Sequence, residues 1–262
     1  MHAPASLPVI DPEMLLLAYR SGIFPMADSR DDPEVFWVEP RHRAILPLDR
    51  FRCSRSLART LRRGRLQVTC NAAFAQVLDA CAAPRRESAE TWISLRIAAT
   101  YRALHDEGHA HSIECWQAND AGEHELVGGL YGVGFDRVFC GESMFSRVPD
   151  ASKVALAWLV AGLRRGGVRL LDCQFMTEHL ASLGAVEISQ KRYLELLRDA
   201  QVEGAAAAAL GVGAALGVAD ADGLGVGDAL LAGFAALLAD AAAAGSSSSP
   251  GNFIAQSLTQ TS

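Results

Sequence analysis

The chain has 262 residues, half of them hydrophobic, and a formal net charge of −6 at pH 7. This length suffices for one large packed domain or two small ones. The negative charge does not exclude a nucleic-acid partner. Residues 201–262 hold five acidic residues and no Lys or Arg, which leaves the first 200 residues nearly neutral.

Six scattered cysteines form no Cys-x-x-Cys pair and lie mostly in apolar runs. This pattern is typical of buried thiols in a reducing compartment rather than of disulfides or zinc ligands. The sequence shows neither a basic and apolar leader nor an uncharged run of membrane-spanning length. We therefore expect a soluble, cytoplasmic, monomeric protein with no membrane partner.

The first predicted element is a short helix over residues 11–22, with Asp11 as its N-cap and Pro12 at the first helical position. Prolines and charges then interrupt the chain between residues 36 and 47. Such punctuation indicates the edge of a unit, so we expect a small N-terminal domain over residues 1–48.

The next segment carries arginines at intervals of three and four, which places them on one face of a predicted helix. The main positions are Arg55, Arg59, Arg62 and Arg63. A solvated surface is one interpretation of this face. The other is contact with nucleic-acid phosphates, which guanidinium groups bind through paired hydrogen bonds. The cluster alone does not decide between them.

From residue 65 onward the patterns predict a strand, two helices, three strands, a helix, a strand, a helix and a strand around one central sheet. Trp92 opens the second of these helices, and the next turns carry Tyr101. A Trp at such a junction fits core packing better than a stacking platform. His109 and His111 share a face without a third ligand nearby, so no metal site is expected.

Residues 126–174 hold the pattern around which the chain is organised. Two β-rich runs flank a turn at residues 134–137, a helix follows, and a buried strand over residues 168–171 presents Asp172 and Gln174. Because strand side chains alternate, we expect these two side chains to stand side by side. The alternative interpretation of Asp172 is an N-cap for the following helix.

Residues 201–262 are rich in Ala and Gly. Apolar positions between residues 230 and 238 are compatible with one amphipathic helix, but the glycine content argues against a rigid domain. We expect a flexible tail that is dispensable for chemistry, and we place the catalytic domain at residues 49–200. Docking of residues 252–262 onto this domain is the alternative, with weak apolar support from Phe253, Ile254 and Leu258.

Several runs together resemble one known family. They are Ala-Tyr-Arg-Ser-Gly-Ile-Phe-Pro at 18–25, Thr-Trp-Ile at 91–93, Gly-His-Ala-His-Ser-Ile-Glu at 108–114, Val-Gly-Gly-Leu-Tyr-Gly-Val at 127–133, Gly-Glu-Ser-Met-Phe-Ser-Arg at 141–147 and Asp-Cys-Gln at 172–174. Over roughly residues 11–196, the chain resembles the bacterial leucyl/phenylalanyl-tRNA–protein transferases.

The resemblance implies an α+β fold, in which a small N-terminal domain precedes a GNAT-like acyltransferase domain with a central mixed sheet. It implies an aminoacyltransferase that moves leucine or phenylalanine, and less often methionine, from aminoacyl-tRNA to a protein. The acceptor is an N-terminal Arg or Lys, and the product is a degradation signal. The resemblance implies no metal and no soluble cofactor.

The family correspondence assigns catalysis to Asp172 and Gln174. Asp172 polarises Gln174, and the Gln174 carbonyl draws a proton from the acceptor amine. Because an amide is a poor base, positioning of the amine is the safer role for Gln174. Glu142 is placed within reach of the cationic acceptor residue.

The same correspondence assigns substrate-binding residues. The donor side-chain pocket comprises Leu130, Phe139, Leu156, Leu159 and Leu171, with Trp92 and Tyr101 near the terminal adenosine. The face with Arg55, Arg59, Arg62 and Arg63 matches the family's basic region for the tRNA acceptor stem. Two positions depart from the family pattern, since Met26 and Leu159 stand where some members carry aromatic residues.

Two alternatives come from other functional classes. A tRNA- or peptide-binding module without catalysis is disfavoured by the presence of Glu142, Asp172 and Gln174. An acetyl-CoA-dependent GNAT enzyme needs a glycine-rich diphosphate loop at a helix start. Residues 147–152 instead read Arg-Val-Pro-Asp-Ala-Ser, whose acid and proline are hostile to a diphosphate.

Overall fold

The computed structural model describes residues 9–84, 90–209, 226–243 and 250–259. The chain begins with helix α1 (Pro12–Arg20) and a two-stranded sheet of β1 (Phe24–Met26) and β2 (Phe36–Val38). The predicted N-cap is confirmed, since the Asp11 carboxylate accepts a hydrogen bond from the Met14 backbone N–H at 3.1 Å. The predicted first helix is therefore present.

A seven-stranded mixed sheet forms the centre of the molecule. Its strands are β3 (His42–Ile45), β4 (Gln67–Cys70), β5 (Ala110–Ala118), β6 (His124–Phe135), β7 (Val138–Ser146), β8 (Leu170–Asp172) and β9 (Val186–Ser189). They lie in the order β4-β5-β6-β7-β8-β3-β9, and all neighbours are antiparallel except β7 and β8, which are parallel. The predicted α+β class with a mixed central sheet is confirmed.

The helices that follow α1 are α2 (Arg55–Arg63), α3 (Phe74–Ala82), α4 (Leu95–Asp106), α5 (Ala151–Arg165), α6 (Glu178–Ser182), α7 (Gln190–Ala209), α8 (Val226–Ala243) and α9 (Pro250–Thr259). From β4 to β9, the order of elements is the predicted one. The start of α4 differs from the prediction, because the Ser94 hydroxyl caps this helix by accepting a hydrogen bond from the Ile97 backbone N–H. Trp92 therefore precedes the helix rather than opening it.

Alternate residues of the central strands belong to two core clusters. Leu130, Phe139 and Leu171 lie in one cluster, whereas Tyr131, Cys140 and Leu170 lie in the other. Residues of α2, α5, α8 and α9 complete the first cluster, and residues of α1, α3, α4 and α7 complete the second. The sheet is thus covered by helices on both faces, as the alternation of strand side chains requires.

The position of strand β3 places the domain boundary earlier in the chain than predicted. It lies between β8 and β9, with Ile45 opposite both Asp172 and Val186, so it belongs to the central sheet. A boundary at residue 48 would cut this strand away from its partners. The division that the sheet supports falls before His42, because Ala44 and Ile45 are buried in the sheet core.

The tail also differs from its expectation. Residues 210–225, 244–249 and 260–262 of the predicted tail lie outside the described residues. In the described part, helix α7 runs without a break across residue 200, and α8 and α9 pack on α5 and α2. Their buried apolar residues are Leu230, Phe234, Leu237, Ile254, Ala255 and Leu258. Composition suggested flexibility because Ala and Gly carry little apolar surface, yet they permit close helix packing.

Candidate active site

The parallel pair β7 and β8 positions the two predicted catalytic residues. The pairing of β7 with β8 ends where Cys140 lies opposite Asp172. Strand β8 ends there, whereas β7 continues to Ser146. Beyond this point, the Gln174 side-chain Nε2 donates a hydrogen bond to Glu142 Oε1 at 3.2 Å. The ends of the two strands therefore bring one carboxylate and one amide together.

Asp172 is fully buried and is bound by Arg43 of β3. The Arg43 Nε and Nη2 atoms donate to Asp172 Oδ1 and Oδ2 at 2.9 and 2.6 Å, and the Tyr193 hydroxyl donates to Oδ2 at 3.2 Å. The guanidinium also lies 4.7 and 4.4 Å from the ring centroids of Phe24 and Tyr193. Burial alone would lower the pKa of Arg43, but the attraction of Asp172 outweighs it and raises that pKa above its ordinary value.

The Asp172 side chain holds Gln174 through the main chain. The Gln174 backbone N–H donates to Asp172 Oδ1 at 2.9 Å, and its backbone carbonyl accepts from the Ala44 N–H at 3.0 Å. Gln174 has a φ of 54°, in the left-handed region that a residue with a Cβ adopts only at a cost. The strand alternation thus ends at Asp172, and the predicted side-by-side placement becomes a side chain to backbone contact.

Glu142 lies at the centre of a short hydrogen-bonded chain. The Tyr101 hydroxyl donates to Glu142 Oε2 at 2.8 Å, and the Tyr19 and Tyr101 hydroxyl oxygens are 2.6 Å apart. Burial raises the pKa of Glu142 to about 7, although hydrogen bonds from Tyr101 and Tyr19 oppose this shift. The nearby Asp172 charge adds to the rise and Arg43 counters it. A carboxyl group with this pKa exchanges protons near neutrality.

A cavity of about 520 Å³ adjoins these groups. Glu142 and Gln174 form part of its wall, and four of the predicted donor-pocket residues line it. These are Leu130, Leu156, Leu159 and Leu171. Trp92 and Met26 line it as well, so the N-terminal sheet contributes to the cavity through β1. An apolar cavity with a few convergent polar groups is the usual form of a small-molecule site.

Two predicted binding residues are placed differently. Phe139 and Tyr101 are fully buried and are not among the residues that line the cavity. Phe139 packs in the same core cluster as the cavity leucines, without reaching the cavity itself. Tyr101 contacts the site indirectly, through its hydrogen bond to Glu142.

Some site residues gave no clear signal in the sequence. Arg43 stands in a run of prolines and charges that reads as a linker, and nothing local indicates its distant partner Asp172. Met144 and His179 also line the cavity. Met144 belongs to the Gly-Glu-Ser-Met-Phe-Ser run, which was the available clue to it.

The predicted arginine face is present on α2. Ser54 caps this helix by accepting from the Leu57 backbone N–H at 3.1 Å, and Leu57, Ala58 and Leu61 form its buried side. The exposed positions are Arg55, Arg59, Arg62 and Arg63. Among the described residues, no acidic side chain forms an ion pair with Arg55, Arg59 or Arg63.

Within residues 9–84, 90–209, 226–243 and 250–259, no group of three or more His, Cys, Asp and Glu side chains is arranged to hold a metal ion. None of the helices within those ranges is both long enough and apolar enough to cross a membrane.

Comparison with known proteins decides the family. The N-terminal domain model of leucyl/phenylalanyl-tRNA protein transferase matches residues 9–41, and the main model of that transferase matches residues 45–198. A curated leucyl/phenylalanyl-tRNA–protein transferase from Novosphingobium aromaticivorans is 65% identical, over 97% of both chains. The chain belongs to the leucyl/phenylalanyl-tRNA–protein transferase family.

A second transferase of this family, from Rhizorhabdus wittichii, is 58% identical over 77% of this chain and 79% of its own length. The N-terminal family model ends at residue 41, directly before β3, and the main model begins at Ile45, the last residue of that strand. The segment with α8 and α9 lies beyond the main family model, which ends at residue 198. A solved structure of L-PGS from Bacillus licheniformis is 13% identical, with a TM-score of 0.35 over 65% of this chain and 55% of that one, too low to support a fold assignment.

Proposed function

We propose that this family member transfers leucine or phenylalanine, and less often methionine, from aminoacyl-tRNA to the N-terminal Arg or Lys of a protein. The product carries a degradation signal. The observation that carries the proposal is an apolar cavity whose polar wall is the hydrogen-bonded pair of Glu142 and Gln174. Such a cavity suits an uncharged donor side chain beside a reacting amine.

The chemistry requires positioning and proton transfer more than activation of the donor. The aminoacyl ester is already reactive, but the acceptor amine arrives as an ammonium ion and must lose a proton before it attacks the ester carbonyl. The new amide bond then forms, the ester bond breaks, and the ribose oxygen takes up a proton. A suitable site therefore needs a proton acceptor and an orienting group side by side.

Glu142 and Gln174 suit these two roles. An amide is a poor base, whereas a carboxylate with a pKa of about 7 accepts protons near neutrality. Gln174 donates its amide N–H to Glu142, which leaves its carbonyl oxygen as an acceptor for the incoming amine. Asp172 fixes the backbone of Gln174 and keeps this acceptor in place. Glu142 also supplies negative charge on the side of the cationic acceptor residue.

The donor is held at two places. Its side chain occupies the cavity against Leu130, Leu156, Leu159 and Leu171, and Trp92 lies where the terminal adenosine reaches the cavity. The acceptor stem contacts the arginine face of α2 through its phosphates. Such a grip is independent of base sequence, which suits an enzyme that accepts several tRNAs.

In this proposal residues 42–200 form a GNAT-like catalytic domain beside a small N-terminal domain. The acetyl-CoA alternative is disfavoured by Asp150, which occupies the N-cap of α5 in a left-handed conformation without capping the helix. An acid at a helix N-terminus repels the diphosphate that a coenzyme A site must bind there.

Transfer of labelled leucine tests the proposal. Purified protein should move radiolabelled leucine from Leu-tRNA to a peptide that begins with Arg, without ATP or metal. The same peptide with an acetylated N-terminus is the matched control, since it lacks the amine. Absence of transfer together with turnover of acetyl-CoA would overturn the assignment, and tRNA binding without transfer would favour the binding-module alternative.

A further inference from the structure

Helices α8 and α9 contact the two elements that hold the donor in the proposed reaction. Helix α9 packs on α2, which carries the arginine face, and α8 packs on α5, which forms part of the cavity wall. Both helices lie outside the stretch that the main family model matches. The contacts of α8 and α9 with the donor-binding elements are therefore a feature that the main family model does not include.

The contact between α9 and α2 is close and apolar. Ile254 and Leu258 of α9 are buried in the same cluster as Leu57 and Leu61 of α2. Gly251 lies against the backbone carbonyl of Leu61, and a Cβ at Gly251 would collide with that oxygen. Packing of this density fixes one helix against the other, because neither can shift without opening a void or a clash.

The contact between α8 and α5 is equally close. The rings of Phe234 and Trp158 lie 5.2 Å apart between centroids, and Asp240 pairs with Arg165 at 3.1 Å. Gly233 also approaches the backbone of α5, where a Cβ would collide with the carbonyl oxygen of Gly162. On α5, Leu156 and Leu159 line the cavity. One C-terminal segment thus packs on both the cavity wall and the arginine helix.

We infer that α8 and α9 form a brace that holds the arginine face of α2 at a fixed position relative to the cavity. The inference rests on the proposed function, because it concerns how one tRNA engages both places. A donor that binds at two sites gains affinity only if their spacing matches the donor, and a fixed spacing avoids the entropy cost of ordering α2 at each encounter. A donor without an acceptor stem contacts the cavity alone and does not need the brace.

Comparison of a long donor, Leu-tRNA, with a short one, leucyl-adenosine, separates this bracing role from general stabilisation of the fold. In the full-length protein, Ile254→Asp places a charge in the interface between α9 and α2, and Gly251→Val forces the two backbones apart. Gln256→Asp is the matched control, because it adds the same charge at an exposed position of α9. Each variant is assayed for transfer from Leu-tRNA and from leucyl-adenosine, with kcat and KM determined separately.

The KM for Leu-tRNA should rise about tenfold in Ile254→Asp and Gly251→Val, which is the effect of losing about one hydrogen bond to a charged group. Transfer from leucyl-adenosine should remain at the wild-type level in both variants, which also shows that the cavity is intact. Gln256→Asp should match wild type on both donors.

Two results would overturn the inference: an unchanged KM for Leu-tRNA in both interface variants, or equal losses on the long and the short donor. A wild-type protein that uses neither donor would instead overturn the proposed function, so the two failures are distinguishable.

Discussion

Arg43 and Asp172 form a fully buried ion pair with two hydrogen bonds, although 129 positions separate them in the chain. The pair joins β3 to the end of β8, and Asp172 in turn holds the backbone of Gln174. The geometry of the candidate active site therefore depends on a residue that touches neither proposed substrate.

Removal of one partner of this pair should destabilise the fold strongly. Asp172→Asn leaves the Arg43 charge buried without its counter-ion, which costs about 3–5 kcal/mol in comparable cases. Chemical denaturation of the variant and wild type measures the difference in free energy of unfolding. Asp79→Asn is the control, because its pair with Arg102 is exposed and should contribute at most about 1 kcal/mol. Equal losses in the two variants would contradict the importance of the buried pair.

The rate of transfer should depend on the ionisation of Glu142. Because burial raises its pKa to about 7 and only the carboxylate accepts a proton, kcat should rise with pH through this value. Tyr101→Phe removes a hydrogen bond that stabilises the carboxylate, so the pKa of Glu142 should rise and the pH profile of kcat should shift to higher pH. One acceptor peptide is used throughout, so the titration of its own amine is common to both profiles.

Glu142→Gln distinguishes proton transfer from acceptor binding. Loss of a general base should lower kcat by about 100-fold or more and abolish the limb near pH 7, with little change in the KM for the acceptor. A higher KM at an unchanged kcat would show that Glu142 only binds the acceptor's cationic side chain.

The arginine face should contribute affinity that salt weakens. Replacement of Arg55, Arg59, Arg62 and Arg63 by Ala should reduce tRNA binding. If each arginine contacts one phosphate, the slope of log K against log salt concentration should become shallower by about 3 to 4. Transfer from leucyl-adenosine should persist. The control neutralises four exposed basic residues elsewhere, namely Arg169, Lys191, Arg192 and Arg198. A similar loss in the control, or equal loss on the short donor, would mean that the α2 face has no special role.

Cavity size should set the choice of donor side chain. Leu159→Phe fills part of the cavity and should reduce transfer of phenylalanine more than transfer of leucine, by about 10-fold or more in the ratio of kcat/KM. Competition between the two charged tRNAs measures this ratio directly. Val160→Ile is a control of added volume on the same helix, since Val160 is buried but is not among the cavity-lining residues. An unchanged ratio would exclude Leu159 from contact with the donor.

Local signals in the sequence predicted the elements well. The caps of α1, the arginine spacing of α2 and the hairpin turn at Asp136 each act within a few residues, so the sequence indicates them directly. The order of elements from β4 to β9 followed from the same signals. Family resemblance, rather than pattern, pointed to four leucines that line the cavity beside Glu142 and Gln174.

Features that depend on distant contacts were missed. Nothing near Arg43 indicates its partner on β8, and strand alternation could not anticipate that Gln174 adopts a left-handed conformation. The packing of α8 was also missed, and for α9 the sequence offered only weak apolar support for docking. The packing of these helices depends on close approach at Gly162 and Gly251, whereas glycine in a sequence normally indicates a loop.

The position of β3 has a consequence for synthesis of the chain. This strand leaves the ribosome early, but its neighbours in the sheet are β8 and β9, which emerge only after residue 170. Until then, Arg43 has no counter-ion and the sheet ends in open strand edges, which are prone to pair with other chains. Closing so long a loop is slow compared with local folding. A translation product that ends before Leu170 lacks Asp172 and Gln174, so it leaves Arg43 without its counter-ion and should be inactive.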